Sequence, residues 1–274
     1  MGAIFAYIKL CRMLARTVCL CGFLFLASCL RAQETDTIGA GHTPLQTANL
    51  RPGLRQYLIY MQDTGNKQTL LFWYWMRRTE RLTSHGESSF LITQRWMGQD
   101  SGMYREVCSL NKASDFSPIY HMESKRGKVF AYNWGDHRIT GADTVRNNAA
   151  KDFSLDFSAP NLNWNLDIET FEMLPLAEGR AFAINFYDAG LDPPQYVVYK
   201  VRGSEVIQTL AGQRVDCWKL ITEGQTKDMH YSETYWISKA DHEFLKEEDQ
   251  YGSTFRLKIL MPETTPAPLG RQAT

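Results

Sequence analysis

The residues best able to do chemistry are scattered along the chain. Six histidines, His42, His85, His121, His137, His230 and His242, are widely spaced, without the i, i+4 pairing or CxxC partner that a zinc site shows, so no metal is expected. Asp136-His137 and Asp241-His242 are adjacent pairs. Neighbours on a strand point to opposite faces, so each pair reads as a turn rather than a catalytic dyad. Glu247, Glu248 and Asp249 form an acidic run beside Lys246; paired carboxylates are one reading, and a solvated edge or turn is the one that charge runs favour. Gly86-Glu87-Ser88 fails the Gly-x-Ser-x-Gly nucleophile elbow because the second glycine is absent, and no Walker loop or dinucleotide fingerprint occurs. The expectation is a protein that is not an enzyme and needs no cofactor.

The cysteines say more about address. Lys9, Arg12 and Arg16 precede an apolar run over residues 17–26, shorter than the roughly 20 residues of a membrane span and typical of a secretion signal. Leu26-Ala27-Ser28-Cys29 then has the form of a bacterial lipobox, in which Cys29 becomes the lipidated first residue. An ordinary signal cut after Ala32 is the other reading, with Leu30 bulkier than that cleavage rule prefers. Cleavage before Cys29 removes three bases and no acid, leaving 27 basic against 30 acidic residues and a net charge of −3. Such a chain has no electrostatic footprint for nucleic acid. Cys11, Cys19 and Cys21 fall in the signal, so Cys108 and Cys217 are the pair left in the folded part. A bridge between them would stabilise by roughly 4 kcal/mol in the chain-entropy model; two buried thiols serving as small hydrophobes is the alternative.

The scaffold for these residues is read from periodicity. Phe153, Leu155 and Phe157 alternate with polar neighbours, as do Phe182, Ile184 and Phe186, the period-two signature of half-buried strands. Between them Leu166, Ile168, Phe171, Met173 and Leu174 suit one side of a short helix, introduced by Pro160-Asn161 and stopped by Pro175. Strands are predicted over residues 54–61, 70–76, 90–97, 103–110, 119–123, 129–134, 138–140 and 153–157, and after the helix over 180–187, 195–201, 205–210, 213–222, 230–238, 243–250 and 254–261. The run Leu70 through Met76 is apolar on both faces and predicts a central strand covered on two sides. The fold class is therefore mainly β, a single curved antiparallel sheet or open half-barrel with one short helix packed against or inside it. The expected organisation is a signal peptide over 1–28, a flexible tether over 29–49, one β-rich domain over 50–261 and a disordered tail over 262–274.

Several segments carry a resemblance. Leu162-Asn163-Trp164-Asn165 is followed by Leu174-Pro175-Leu176-Ala177-Glu178-Gly179, then Val201-Arg202-Gly203-Ser204-Glu205 and Leu210-Ala211-Gly212-Gln213, and the run closes with Thr234-Tyr235-Trp236-Ile237, His242 and Lys246-Glu247-Glu248. In these segments the chain resembles the bacterial family catalogued as domain of unknown function 3108, envelope proteins similar in fold to the lipoprotein-carrier class. Leu162-Asn163 departs from the family's usual Phe-Asp, and Leu210 stands where a proline is frequent. The resemblance implies a curved antiparallel sheet partly wrapped around a helix and implies no reaction.

Seven tryptophans, 13 tyrosines and 14 phenylalanines fill core, and some could line a concavity of the kind that holds a small molecule in open barrels. The functional expectation is an exported, lipid-anchored protein of the periplasm or outer membrane that binds a lipid or other apolar ligand. Leu166, Ile168, Phe171, Leu174 and Trp236 are its expected cavity or plug residues, and Glu169 is expected on the wet side of the helix. The rival expectation is an envelope scaffold that meets a protein partner and holds no ligand.

Overall fold

The computed structural model describes residues 35–39, 43–84, 86–225 and 229–266. Cys29, Ala32 and the signal lie outside the described residues, as do His42 and His85. Strand β1 (Thr35–Ile38) is followed by a meander of β2 (Gly53–Asp63), β3 (Thr69–Ser84), β4 (Glu87–Gly98), β5 (Arg105–Lys112), β6 (Pro118–Lys125), β7 (Lys128–Trp134), β8 (Arg138–Gly141) and β9 (Ser154–Asp156). After β10 (Leu162–Asn163) and the helix α1 (Asp167–Glu172), a second meander runs through β11 (Ala181–Tyr187), β12 (Gln195–Gln208), β13 (Arg214–Gln225), β14 (His230–Ser238), β15 (Phe244–Tyr251) and β16 (Thr254–Leu260). The two meanders join where β16 lies antiparallel to β2, with Leu260 opposite Tyr57, making one sheet. Its far edges are β9 and β1, which are not hydrogen-bonded to each other, so the sheet curves without closing. Side chains bridge part of that gap: Tyr187 at the end of β11 meets Trp134 of β7 and Phe157 beyond β9, with ring centroids 5.5 and 5.4 Å apart.

Alternation decides which face each residue takes. On β11 and β12, Phe182, Ile184, Phe186, Tyr199 and Val201 turn to one side, and on that side they meet Leu166, Ile168, Phe171, Met173 and Leu174 around α1. A six-residue helix has no stability of its own in water. It is held because the sheet wraps it, because Asn163 Oδ1 accepts from the backbone of Asn165 at the preceding turn, and because the Met173 carbonyl accepts from Gln46 N at 2.8 Å. Gly179, at φ +74°, then turns the chain out of the interior into β11.

The structure corrects several expectations. Described parts of the segment expected to be a tether belong to the folded body: β1 pairs in parallel with β11, and Ile38, Leu45 and Leu50 are buried in the main core. Three isolated apolar anchors and a parallel edge ladder hold an otherwise polar stretch. Residues 262–266, expected in a disordered tail, are held against the sheet: Gln56 Nε2 donates to the Thr265 carbonyl at 2.6 Å and Tyr74 OH reaches that of Pro266, and the rest of that expected tail lies outside the described residues. Gly203, at φ +82°, makes a bulge in one continuous β12 instead of separating two strands. β3 is central, but its outer side is not covered among the described residues: Leu70 and Phe72 stay 44% and 43% exposed. Cys108 and Cys217 are both free thiols. They stand on β5 and β13, with six strands between them in the sheet order, so no bridge forms. Trp236 is not part of the plug. It faces the opposite side from Tyr235, beside Cys217 and Leu245, with its indole N–H on Glu205 at 3.2 Å and the Lys246 ammonium 4.3 Å over its ring.

Candidate functional site

The interior is polar where α1 ends toward β3 and β16. Glu169, expected on the wet side, is only 3% exposed. Arg77 on β3 donates from Nε to Glu169 Oε1 at 2.9 Å and from Nη2 to Oε2, and its guanidinium lies 4.4 Å over the Trp75 ring. A helix surrounded by sheet has no wet side, so its charges must find partners inside. Glu172 does so through the backbone N–H of Phe244 at 3.0 Å; burial nevertheless pushes its carboxyl up to about 7, against the pull of the Arg55 charge.

The acidic run is divided by the strand period. Lys246 and Glu248 take the outer side of β15, whereas Glu247 and Asp249 are buried, 0% and 1% exposed. Across the β15–β16 hairpin Glu247 stands opposite Lys258 and Asp249 opposite Arg256. Lys258 Nζ meets Glu247 Oε2 at 2.5 Å, Arg256 Nη2 meets Glu247 Oε1 at 2.9 Å, and Arg256 Nε meets Asp249 Oδ2. Burial and the neighbouring Glu247 charge push Asp249 up to about 9. Glu247 goes the other way: burial favours its neutral form, and the charges of Lys258 and Arg256 outweigh it. The solvated-edge reading of this run is therefore wrong, and the carboxylates are a buried pair.

This arrangement has a pH consequence. The folded protein retains on Asp249 a proton that the unfolded chain releases above its ordinary pKa of 3.8. The stability from that retained proton is complete below pH 3.8 and is lost as pH rises toward about 9. Asp249→Asn, which imitates the neutral carboxyl, should cost little at pH 7 and flatten the decline between pH 7 and 9, a decline of at most about 1.4 kcal/mol per pH unit in wild type. Urea midpoints across that range check it. A parallel decline in the variant would show that Asp249 is ionised when folded.

Beside this cluster opens a recess of about 250 Å³. One wall is aromatic: Trp75 and Trp96 stack with centroids 4.4 Å apart, and both indole N–H groups donate to Gln94 Oε1 at 3.3 Å. Trp164, 37% exposed, stands at the rim against Phe186. Asn165 is the polar hub. Its carbonyl accepts from Gln94 Nε2 at 2.7 Å, its Oδ1 accepts from Arg105 Nη2, and its Nδ2 donates to Asp188 Oδ1 at 3.0 Å. Arg105 is paired with Glu123 at 2.5 Å, and burial raises the Asp188 carboxyl. On the far wall Tyr235 OH donates to Glu233 Oε2 at 2.6 Å, and Tyr251 OH donates to Glu233 Oε1.

Behind Asn163 lies a serine–histidine contact that the sequence did not suggest. Ser109 Oγ is 2.9 Å from His121 Nδ1, and Asn163 Nδ2 is 3.0 Å from the same nitrogen. Burial first, then Arg105 and Lys125, push this imidazole down to about 3, so it is neutral. Ser109 is fully buried. His121 and Asn163 are buried with it, and the contact fixes Asn163 and hence the turn that carries Asn165. Asp136-His137 and Asp241-His242 fall in turns, as expected. Among the described residues no three His, Cys, Asp or Glu side chains converge as a metal requires.

Leu166, Ile168, Phe171 and Leu174 are thus brought together in the core, Trp236 is not, and the recess is built from residues outside that set. One signal was available for them: charged residues at positions that alternate inward, Arg77 two residues after Trp75 on β3, and Arg256 and Lys258 at i, i+2 on β16.

Comparison with known proteins gives a family but no chemistry. The family model described as a protein of unknown function, DUF3108, matches residues 73–259. No curated protein matches the chain. Among solved structures the chain is similar to a β-barrel-like protein of domain of unknown function DUF1849 from Brucella abortus, at 13% identity and a TM-score of 0.47, covering 77% of this chain and 96% of that one. It is also similar to a protein with a YmcC-like fold from Bacteroides fragilis, at 9% identity and a TM-score of 0.33, covering 76% of this chain and 92% of that one.

Proposed function

This chain belongs to the DUF3108 family, and from that premise we propose that it is an exported, non-enzymatic binding protein of the cell envelope, anchored by a lipid on Cys29, that receives a small polar ligand at the tryptophan-lined recess. The recess carries the reading. It combines a stacked indole wall with polar groups already fixed by hydrogen bonds, the composition that orients a ligand without reorganisation. The apolar ligand expected inside the barrel meets an occupied interior: Phe171, Met173 and Leu174 are fully buried there, and an acyl chain would have to displace them. The serine–histidine contact is buried, which supports binding over catalysis.

Protein purified from its own envelope and examined by native mass spectrometry should carry a small polar adduct that is lost in Trp96→Ala. Bare protein mass in both would sink this reading. The anchor is tested separately: Cys29→Ala should move the protein from the membrane to the soluble fraction, since acylation contributes about 0.8 kcal/mol per buried methylene. Unchanged fractionation would favour the cut after Ala32.

One observation favours a second reading, a scaffold that meets another envelope protein. Leu70 and Phe72 present an apolar row on the outer side of a central strand. Phe72→Glu should then abolish a crosslinked species seen in intact cells, and a protein that migrates alone in both forms removes the case for a partner.

A further inference from the structure

We infer that the recess takes one ring of an uncharged sugar, with the rest of a glycan leaving past Trp164. This rests on the recess being the binding site and names the class of ligand it would hold. Three features of the wall carry it.

The first is charge balance. Arg77 is paired with Glu169, Arg105 with Glu123, and Arg256 and Lys258 with Glu247. An anionic ligand would have to compete with carboxylates already in place and would also face Asp167, Asp188 and Glu233 on the lining. A hydroxyl donates and accepts at once, so it can bridge a carboxylate and a guanidinium without separating the pair. Asp188 and Glu233 supply acceptors at the wall, and Arg105 and Arg256 supply donors. Arg77 also keeps a buried nitrogen, Nη1, with no partner among the described residues.

The second is the pairing of surfaces. A sugar ring has an apolar C–H face and a polar rim, and the recess sets the partly exposed indoles of Trp96 and Trp164 beside these charged pairs, Trp75 being covered by Trp96 and Arg77. A wholly apolar ligand would leave the pairs desolvated and unmatched, which is costly. The third is size. About 250 Å³ lies below the roughly 300–1,000 Å³ of sites for drug-sized ligands and suits a single ring. The exposed rim tryptophan gives the neighbouring ring a surface to stack on.

The test is calorimetric titration of the detergent-solubilised full-length protein with methyl glycosides of glucose, galactose, mannose and N-acetylglucosamine. Glucuronate, inorganic phosphate and a short-chain fatty acid serve as charged and apolar comparisons. Saturable binding of at least one neutral glycoside is expected, weakened about tenfold by Trp164→Ala and unchanged by Tyr196→Ala on the outer face of β12. Trp164 and Tyr196 are both partly exposed, so neither variant should unfold the protein; thermal melts confirm this. Binding of glucuronate, phosphate or fatty acid without any neutral glycoside overturns the sugar assignment and leaves the recess as a site. No binding of any probe, together with a polar adduct in native mass spectrometry, overturns the sugar assignment in the same way; no probe and no adduct removes both. Neutral binding that Trp164→Ala leaves untouched places the sugar elsewhere and also overturns it.

Discussion

Glu169→Ala is expected to destabilise the protein by about 3 to 5 kcal/mol, the range for removing one partner of a buried ion pair. The cause lies in what is left behind. Arg77 is as buried as Glu169, its side chain 3% exposed against 4%, and burial already pulls its guanidinium below the ordinary range. Without Glu169 it retains the Asn165 carbonyl at 3.5 Å, too long for a strong hydrogen bond. For a protein whose total stability is on the order of 5 to 15 kcal/mol, that is a large share. The double substitution Arg77→Met with Glu169→Leu should recover most of the loss, because two apolar groups of similar volume leave no unpaired charge. Urea unfolding at pH 7 checks both. A loss below about 1 kcal/mol for Glu169→Ala would mean that Arg77 is solvated once released.

Phe171→Ala is expected to cost a similar amount, about 3 to 5 kcal/mol, through a cavity rather than a charge. The ring is fully buried, 4.7 Å from both Tyr199 and Tyr235 and edge-on to Phe186 at 6.1 Å. These three belong to β11, β12 and β14, strands that can close on the space only by moving together. The melting temperature should fall by roughly 10 °C. The two losses differ in kind: the Glu169 effect should respond to the Arg77 partner change, and the Phe171 effect should not. If Phe171→Ala spared stability and abolished ligand uptake, the helix would be a movable lid.

Much of the sheet was legible because period-two alternation is imposed directly by strand geometry. Phe182-Ala183-Ile184 states its faces in the sequence, and the helix between the meanders is marked by its change of period and by Pro175. The recess was not legible, for a physical reason. Its charges stand in inward positions, where solvation predicts apolar residues, and only the register of the hairpin reveals that Glu247 and Asp249 meet Lys258 and Arg256. That register follows from the turn at Gly252, so the pairing could have been read by laying β15 against β16. The Glu169–Arg77 pair could not, since nothing local links residues on α1 and β3. Single anchors such as Ile38 and Leu45 have no period to detect, and the parallel pairing of β1 with β11 leaves no turn between them.

The seam between β16 and β2 also sets the order in which the chain can fold. Within each meander a strand meets the next strand in sequence, but Tyr57 finds Leu260 only after nearly the whole chain has been made. Loop-closure entropy opposes that contact until the rest of the sheet rewards it, so formation of the seam should be the slow step of folding. Until then β2, which ends up in the middle of the sheet, is an unpaired edge beside the apolar row of β3, and such edges recruit other chains. During synthesis the early strands therefore need protection from aggregation until the last strand arrives.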